Sequence, residues 1–550
     1  MKLLPISLQT FQDIIEGGYL YVDKTKFVYE AVSQGKAYFL SRPRRFGKTL
    51  LLSTFEALFN GPTNPNGPPQ GLFAGLWISQ TDYDFTKRYP VVNLDMSGKS
   101  DSPETLEQRL KDRLLTYASL ENLDISAYSL DMMLYNLIEG LNYKYGTRVV
   151  VLIDEYDAPV SDNLANIKVA KANHDILRYF YSVLKSCDRY LHFVFVTGVT
   201  SYAFMGISSG LNHLNDLTLN NKFAGVCGFT IDECDDCFKE WLSYCLKTLT
   251  IEGRIAPNST LADLRSRMFN WYGGYSWDGK TRVLNPIDIL NFFNKLRFSN
   301  YWADSYPSVA FLSNMVGDDP FVLVDVEYKR VSHTSLAMAE VGALETVPAL
   351  FYTGYLTVDK IFHDLYYGTT LSLKVPNLEI QRLSDKVFSD SIFKILAYNP
   401  QSESQALERA FVARDGPKIT EIFTSLFTSL FASLAAIHYQ DENESFYHRL
   451  IFAYLFKLGR LVFSEQPVAI GMSDIVFNWP KKALYAIIEV KYESTVDDTN
   501  IEEKLTQLAQ KALKTIDTKD YWHPYKAQAK TLIKIGIGVV SRGRCLALTD

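Results

Sequence analysis

Between Gly35 and about Gly228, short apolar runs alternate with segments of helical periodicity. The runs are Ala37–Leu40, Val91–Leu94, Arg148–Ile153 and His192–Thr197, and helical patterns begin near Thr49, Pro103, Ser129 and Asp162. Pro103 followed by Glu104 suits a first helical turn: proline's missing N–H has no partner to lose there, and the acid meets the positive end of the helix dipole. Apolar runs of this kind predict strands covered on both faces, hence a mostly parallel sheet with helices on either side. The Pro-, Gly- and Asn-rich stretch from Gly61 to Gly71 predicts a surface loop.

From about Phe229 to Gln440 the pattern turns mainly helical, with a few strands such as Leu350–Val358 and an aromatic turn at Trp271-Tyr-Gly-Gly-Tyr275. Within Ile422–Ile437, Phe423, Leu426, Phe427, Leu430, Phe431 and Leu434 recur at helical spacing but are broken by Thr and Ser, which predicts a core-facing helix and no membrane span. After about Asp441 the character changes again. A helix over Phe446–Leu458, strands near Val462, Ile475 and Ala486, a lysine-rich helix and a strand at Leu532–Val540 predict a small α/β domain. Domains over 1–228, 229–440 and 441–550 are expected, because one hydrophobic core stops growing near roughly 250 to 300 residues and the chain has 550.

Composition narrows the partners. With 47% hydrophobic and 21% charged residues the chain has ample apolar material for packed cores, and a net charge of -6 argues against a globally basic nucleic-acid coat while leaving local basic patches open. Met1–Thr10 lacks a basic start followed by an apolar run, and six cysteines fit a reducing compartment, so a cytoplasmic location is expected. Cys234-Asp-Asp-Cys237 has zinc-like spacing but reads as part of one amphipathic helix with no second ligand pair, which points to packing thiols.

The first candidate chemistry lies where a strand hands over to a helix, in Tyr38-Phe-Leu-Ser-Arg-Pro-Arg-Arg-Phe-Gly-Lys-Thr49. In a P-loop at that junction, backbone amides from Arg45, Phe46 and Gly47 meet phosphate oxygens, Lys48 reaches the terminal phosphates and the Thr49 hydroxyl ligates magnesium. The usual pattern has a glycine where Arg42 stands, and Pro43 can fix the turn instead. Arg42, Arg44 and Arg45 are each compatible with phosphate contacts, with an acidic partner element or with surface ion pairs. The complementary half is Val149-Val-Val-Leu-Ile-Asp-Glu155, a buried-strand run ending in two carboxylates: Asp154 for the magnesium shell and Glu155 to polarise the attacking water. The next strand ends at Thr197, whose hydroxyl can sense the terminal phosphate, so MgATP or MgGTP is the expected ligand.

The second candidate site is a hairpin, Gly471-Met-Ser-Asp474-Ile-Val-Phe followed by Ala483-Leu-Tyr-Ala-Ile-Ile-Glu489-Val-Lys491. Glu489 and Lys491 are two apart on one strand and share a face, and Asp474 can meet them across the hairpin. Asp474 and Glu489 are hard ligands for magnesium or manganese, and Lys491 can orient water and offset charge on a phosphate, the requirements of metal-assisted phosphodiester hydrolysis. Downstream, Lys504, Lys511, Lys514, Lys519, Lys526, Lys530 and Lys534 outnumber Asp517 and Asp520, which suits either a polyanion or a solvated helix face.

These residues resemble the predicted AAA-ATPase-like proteins fused to a PD-(D/E)xK nuclease-superfamily domain. The resemblance spans nearly the whole chain and is carried by Tyr21-Val-Asp-Lys-Thr25, Arg42-Pro-Arg-Arg-Phe-Gly-Lys-Thr49, Asp154-Glu-Tyr-Asp157, Thr197-Gly198, Ser209-Gly-Leu-Asn212, Gly228-Phe-Thr230, Asn285-Pro286, Gly354-Tyr355-Leu356, Phe446-Tyr-His448 and the Asp474, Glu489 and Lys491 set. It implies that Arg42 is an ordinary feature of the loop. It also implies an α/β fold: an AAA/STAND-like P-loop NTPase sheet, a helical or winged-helix middle and a small restriction-endonuclease-like domain. By the same resemblance Glu444 supplies a further carboxylate, whereas Thr515 stands where the family commonly has Gln. The expected function is a nuclease acting on nucleic acid, DNA before RNA, under ATP control with Mg2+ or Mn2+, as a homo-oligomer and with no membrane partner. A nucleotide-switched interaction protein whose nuclease-like domain only binds is the alternative, which Thr515 favours.

Overall fold

A computed structural model describes residues 1–62, 70–164, 166–201, 213–305, 308–317, 330–337, 346–364, 368–395, 401–435, 443–457, 461–468, 471–479, 484–494, 500–522, 525, 529–541 and 544–550. The described chain forms two compact units, one of residues 1–308 and 326–381 and one of residues 309–325 and 382–550.

In the first unit the four apolar runs become strands β1 (Ala37–Ser41), β2 (Val91–Asp95), β3 (Val149–Asp154) and β4 (Leu191–Gly198). With the short β5 (Asn215–Asp216) they form a sheet in the order β2-β3-β4-β1-β5, every adjacent pair parallel. Every residue of β3 is buried, as the absence of alternation requires of a central strand covered on both faces. Helices α1 (Lys48–Asn60), α2 (Pro103–Leu120), α3 (Leu130–Tyr145) and α4 (Ile167–Ser186) connect the strands. The α2 start is built as its residues dictate: the Ser102 side chain accepts from the Thr105 amide and Pro103 opens the helix.

A helical region follows, with α5 (Ile231–Cys237), α6 (Lys239–Ile251), α7 (Leu261–Tyr272) and α8 (Pro286–Lys295). Cys234 and Cys237 thus lie on a short helix that ends before α6 begins, rather than on one continuous helix, and Cys234, Phe238 and Cys245 pack into the core of this region. Next come β6 (Arg330–Ser332), α9 (His333–Ala337), α10 (Thr346–Thr353), β7 (Thr357–Asp364) and β8 (Gly368–Lys374), whose strands form an antiparallel sheet in the order β6-β8-β7. This strand–helix–helix–hairpin order is a winged-helix arrangement. The strand expected over Leu350–Val358 is therefore corrected: Leu350 to Thr353 end α10, Gly354 turns the chain at φ +95, and β7 begins at Thr357. A short apolar run has no periodicity of its own with which to choose between strand and buried helix.

Two carboxyl groups meet inside this unit. Asp288 on α8 and Glu379, near the start of α11 (Leu378–Ile395), are both 0% exposed. Glu379 Oε1 accepts from the Ala303 amide at 3.0 Å, and the two acids act on each other's charge in a buried site. Burial and then the charge of Glu379 push Asp288 well above the usual carboxylate range, and burial raises Glu379 to about 7. The unfolded chain releases both protons near pH ~4. Between about 4 and about 7 the folded state therefore holds more protons, and the stability present below that window is lost as pH rises through it. Asp288→Asn should flatten this decline in the thermal midpoint, because it removes one of the two raised groups and the charge that acts on the other; an unaltered pH profile would remove the pair from this role.

The second unit contains α12 (Gln401–Ala413), α13 (Gly416–Ala435), α14 (Glu444–Lys457), α15 (Ile501–Thr518) and strands β9 (Leu461–Val468), β10 (Gly471–Trp479), β11 (Leu484–Glu493), β12 (Thr531–Val540) and β13 (Arg544–Thr549). The sheet order is β13-β12-β11-β10-β9, with β11 and β12 parallel and the other neighbours antiparallel. This unit takes in α12 and α13, which the sequence pattern groups with the middle of the chain. The reason is packing at β13: the Thr424 hydroxyl accepts from the Ala547 amide at 3.0 Å, and Thr428 meets Cys545.

Candidate functional site

The P-loop joins β1 to α1. Gly47 occupies the left-handed region at φ +96 as the N-cap of α1, and Arg45 at φ +69 also turns the loop with its side chain exposed. Lys48 is buried, and its Nζ donates to the carbonyls of Arg42 and Pro43 at 3.0 and 3.1 Å. Burial lowers its pKa, against the opposing pull of Asp154. The Thr49 hydroxyl donates to Asp154 Oδ2 at 2.6 Å, which sets two hard oxygen groups side by side at the end of β3. That pair fits a magnesium ion held through Thr49 and Asp154.

Glu155 follows in the left-handed region at φ +50, with its amide donating to Asp154 Oδ1 at 3.0 Å. Burial, reinforced by Asp154, raises its pKa above the usual carboxylate value, which makes it a stronger proton acceptor. Thr197 is 1% exposed, and its hydroxyl has no hydrogen-bond partner among the described residues.

The three loop arginines part company. Arg42 is fully buried, donates to the carbonyls of Ser41, Thr218 and Phe223 at 2.8 to 3.1 Å, and stacks on Trp277 at 4.0 Å. It braces the loop from behind. Arg44 pairs with Asp162 at 2.9 Å, both partly exposed, while its carbonyl accepts from the Trp302 indole at 3.1 Å. The Phe46 ring is spent on packing against Tyr275 and Trp277, at 4.8 and 5.5 Å, which leaves only the backbone of Phe46 for a ligand.

A cleft of about 350 Å³ runs from this loop to an apolar wall made by Leu20 and Val22, by Phe229 and by Ile287 and Leu290 of α8. Glu155 is the one carboxylate among the described lining residues. Lys24, which also lines the cleft, is committed to both carboxylate oxygens of Glu233 at 2.6 and 2.7 Å and to the Gly225 carbonyl at 2.8 Å. The Tyr21-Val-Asp-Lys-Thr25 motif thus staples this wall to α5. Gly228, at φ +84 and with its amide on the Phe46 carbonyl at 3.1 Å, closes the wall against the loop; a Cβ there would sit 2.7 Å from Val283. Ser209–Asn212 lie outside the described residues.

In the second unit, Glu489 on β11 is 2% exposed among Ile487, Ile488 and Val490. Lys491 Nζ lies 3.0 Å from Glu489 Oε1 and 2.8 Å from Oε1 of Glu444 on α14. Burial pulls the Lys491 pKa down, but the hydrogen bonds and charges of Glu444 and Glu489 prevail and hold it well above the usual lysine range. The β10–β11 hairpin pairs Ile475 with Ile488, so one step further along the register sets position 474 level with Glu489. The side chain of Asp474 lies outside the described residues. Among those described, no group of three or more His, Cys, Asp or Glu side chains is gathered to hold a metal. Glu489 and Glu444, bridged by the Lys491 ammonium, are the oxygen donors described at this end. Thr515 is half-buried, and its hydroxyl turns back to the Lys511 carbonyl at 2.9 Å. Two of the downstream lysines are neutralised, Lys504 by Glu493 at 2.8 Å and Lys534 by Asp517 at 2.7 Å.

Two glycines let α15 lie on the sheet beside this pair. In the parallel register Gly536 and Gly538 flank Glu489 and Lys491. A Cβ on Gly536 would stand 2.2 Å from the Ala509 carbonyl, and one on Gly538 2.5 Å from that of Leu505. Gly538→Ala should therefore lower stability by about 1–3 kcal/mol, read as a drop in denaturation midpoint, because backbone cannot yield as a side-chain tip can. An unchanged midpoint would show that α15 is free to retreat.

Residues 5–208 match the family described as predicted AAA-ATPase, and residues 442–547 match the PD-(D/E)xK nuclease superfamily. An uncharacterized protein in the vnfD 5′ region of Azotobacter chroococcum mcd 1 is similar to this chain, 30% identical over 545 residues, which are 98% of this chain and 96% of that protein. With both matches in the order of the two sites and a likeness running nearly end to end, the chain belongs to the family of predicted AAA-ATPase-like proteins fused to a PD-(D/E)xK nuclease-superfamily domain.

Proposed function

We propose that the protein hydrolyses ATP in its first unit and cuts nucleic acid, DNA before RNA, in its second, under nucleotide control. The observation that carries this reading is the presence in one chain of a P-loop whose Thr49 reaches Asp154 at 2.6 Å and a strand whose buried Glu489 is held 3.0 Å from Lys491. Lys48, with backbone amides from Arg45 to Gly47, would bind the phosphates, and Thr49 and Asp154 would hold magnesium. Glu155 would take the proton of the attacking water, and Thr197 would meet the terminal phosphate. An adenine base suits the apolar wall, since among the described residues no carboxylate stands there to read the donor edge of guanine.

In the second unit, Asp474 and Glu489 would hold Mg2+ or Mn2+, which when bound supplies an activated water and a counter-charge for the scissile phosphate. Lys491, kept protonated by its two carboxylate neighbours, would offset charge on that phosphate and cannot itself act as the base. The domain boundaries that go with this reading are an ATPase core over 1–228, a lid and winged-helix region over 229–440 and a nuclease-like domain over 441–550. Localisation to the cytoplasm and assembly as a homo-oligomer complete the proposal. Among the described residues no helix is long and apolar enough to cross a membrane.

The test is incubation of the purified protein with plasmid, single-stranded DNA and RNA, with Mg2+ or Mn2+ and with or without ATP. Nucleotide-responsive cleavage is expected. Nucleotide-responsive binding without cleavage would favour the second reading, a switched nucleic-acid-binding protein, which Thr515, with its hydroxyl turned back to the Lys511 carbonyl, supports.

A further inference from the structure

The end of β3 and the end of β4 are tied together by a side chain that the reading above does not use. Asp157 is 1% exposed. Both its oxygens accept from the Val199 amide at 3.2 Å, and Oδ2 also accepts from the Thr200 amide at 2.7 Å and the Thr200 hydroxyl at 2.6 Å. Tyr156 adds two ties in the same direction: its amide donates to the Thr197 carbonyl at 3.1 Å and its hydroxyl to the Thr200 carbonyl at 3.2 Å. The start of the P-loop joins the same seam, with the Arg42 amide on the Gly198 carbonyl at 3.2 Å and the Ser41 hydroxyl on the Val199 carbonyl.

Gly198 is what lets the carboxylate come this close. A Cβ there would lie 2.4 Å from Asp157 Oδ1 and 2.4 Å from the Tyr156 ring. A buried charge is costly unless fully hydrogen-bonded, and charge-assisted bonds are short and geometrically demanding. A buried carboxyl group that accepts from three donors at the meeting point of two strand ends therefore fixes their spacing. Only Tyr156 separates Asp157 from Glu155, and only Gly198 separates Thr197 from Val199.

We propose that Asp157 is a positioning residue for ATP hydrolysis: it locks the turn bearing Asp154 and Glu155 to the end of β4, so that the Glu155 carboxylate and the Thr197 hydroxyl are presented to the terminal phosphate at one fixed separation. This inference rests on the ATPase reading and adds to it the device that sets the catalytic spacing.

The test compares Asp157→Asn and Gly198→Ala with the wild type in the full chain. In Asp157→Asn an amide N–H opposes a backbone N–H, and in Gly198→Ala the new methyl expels the carboxylate, so two different lesions loosen the same seam. Both should lower kcat for ATP by about tenfold to a hundredfold, the effect of a misplacement near 1 Å, while KM for MgATP and the affinity for a non-hydrolysable ATP analogue stay at wild-type values. The thermal midpoint without nucleotide identifies a variant that fails to fold, and the other lesion then decides. Normal kcat in a folded variant overturns the proposal. So does a parallel loss of kcat and analogue affinity, which would make Asp157 a general structural prop. A wild type that neither binds nor turns over ATP overturns the ATPase reading itself, a separate outcome from the other two.

Discussion

Lys48→Ala should abolish ATP turnover and weaken nucleotide binding by about tenfold to a hundredfold. The lysine is a cation buried at the start of α1, where the first amides of the helix already favour an anion. A charge-assisted hydrogen bond contributes roughly 1.5–3 kcal/mol, which converts to that range of affinity. Without nucleotide the Lys48 ammonium is bonded to the Arg42 and Pro43 carbonyls, so its removal also frees the loop it would present to phosphate. Calorimetric titration with ATP and Mg2+ measures the effect. An affinity equal to the wild type would take Lys48 out of the site, provided that the thermal midpoint shows the variant to be folded.

At the other end, Lys491→Ala and Glu489→Gln should each reduce metal-dependent cleavage by about a hundredfold to a thousandfold, the usual consequence of removing one group that stabilises transition-state charge. The two substitutions separate the roles. Glu489→Gln takes away a buried carboxylate and should also weaken Mn2+ binding, whereas Lys491→Ala removes the competing ammonium 3.0 Å from that carboxylate and should leave Mn2+ binding intact or tighter. Titration with Mn2+ beside a plasmid-nicking assay reads both quantities. Cleavage that survives Lys491→Ala would remove this strand from the chemistry.

Much of this arrangement is legible in the residues alone. The strands of the first sheet could be read because runs such as Val149–Ile153 are apolar throughout, and a strand buried on both faces leaves no other mark. Glu489 and Lys491 share a face for the simpler reason that strand side chains repeat every two residues. What could not be read depends on partners distant in the chain. Nothing near Arg42 announces that Trp277 will cover it, so a buried brace and a phosphate contact look alike in sequence. The Asp288–Glu379 pair is hidden for the same reason, each member being an ordinary acid near the start of a helix. Asp157 stood in plain view within Asp154-Glu-Tyr-Asp157, yet its task emerges only when the β4 end folds over it.

The aromatic backing of the P-loop bears on how the gene can be cut. Trp277 covers Arg42, the Trp302 indole holds the Arg44 carbonyl, and Gly354 lies so close to Pro43 that a Cβ on it would come within 2.9 Å. A fragment ending where the parallel sheet ends would leave the Arg42 guanidinium without the ring that covers it and the Phe46 ring without its Tyr275 and Trp277 contacts. A piece expressed for nucleotide work consequently has to carry Trp277, Trp302 and Gly354 together with the sheet, because separating them takes the cover from Arg42 and the support from the Arg44 carbonyl.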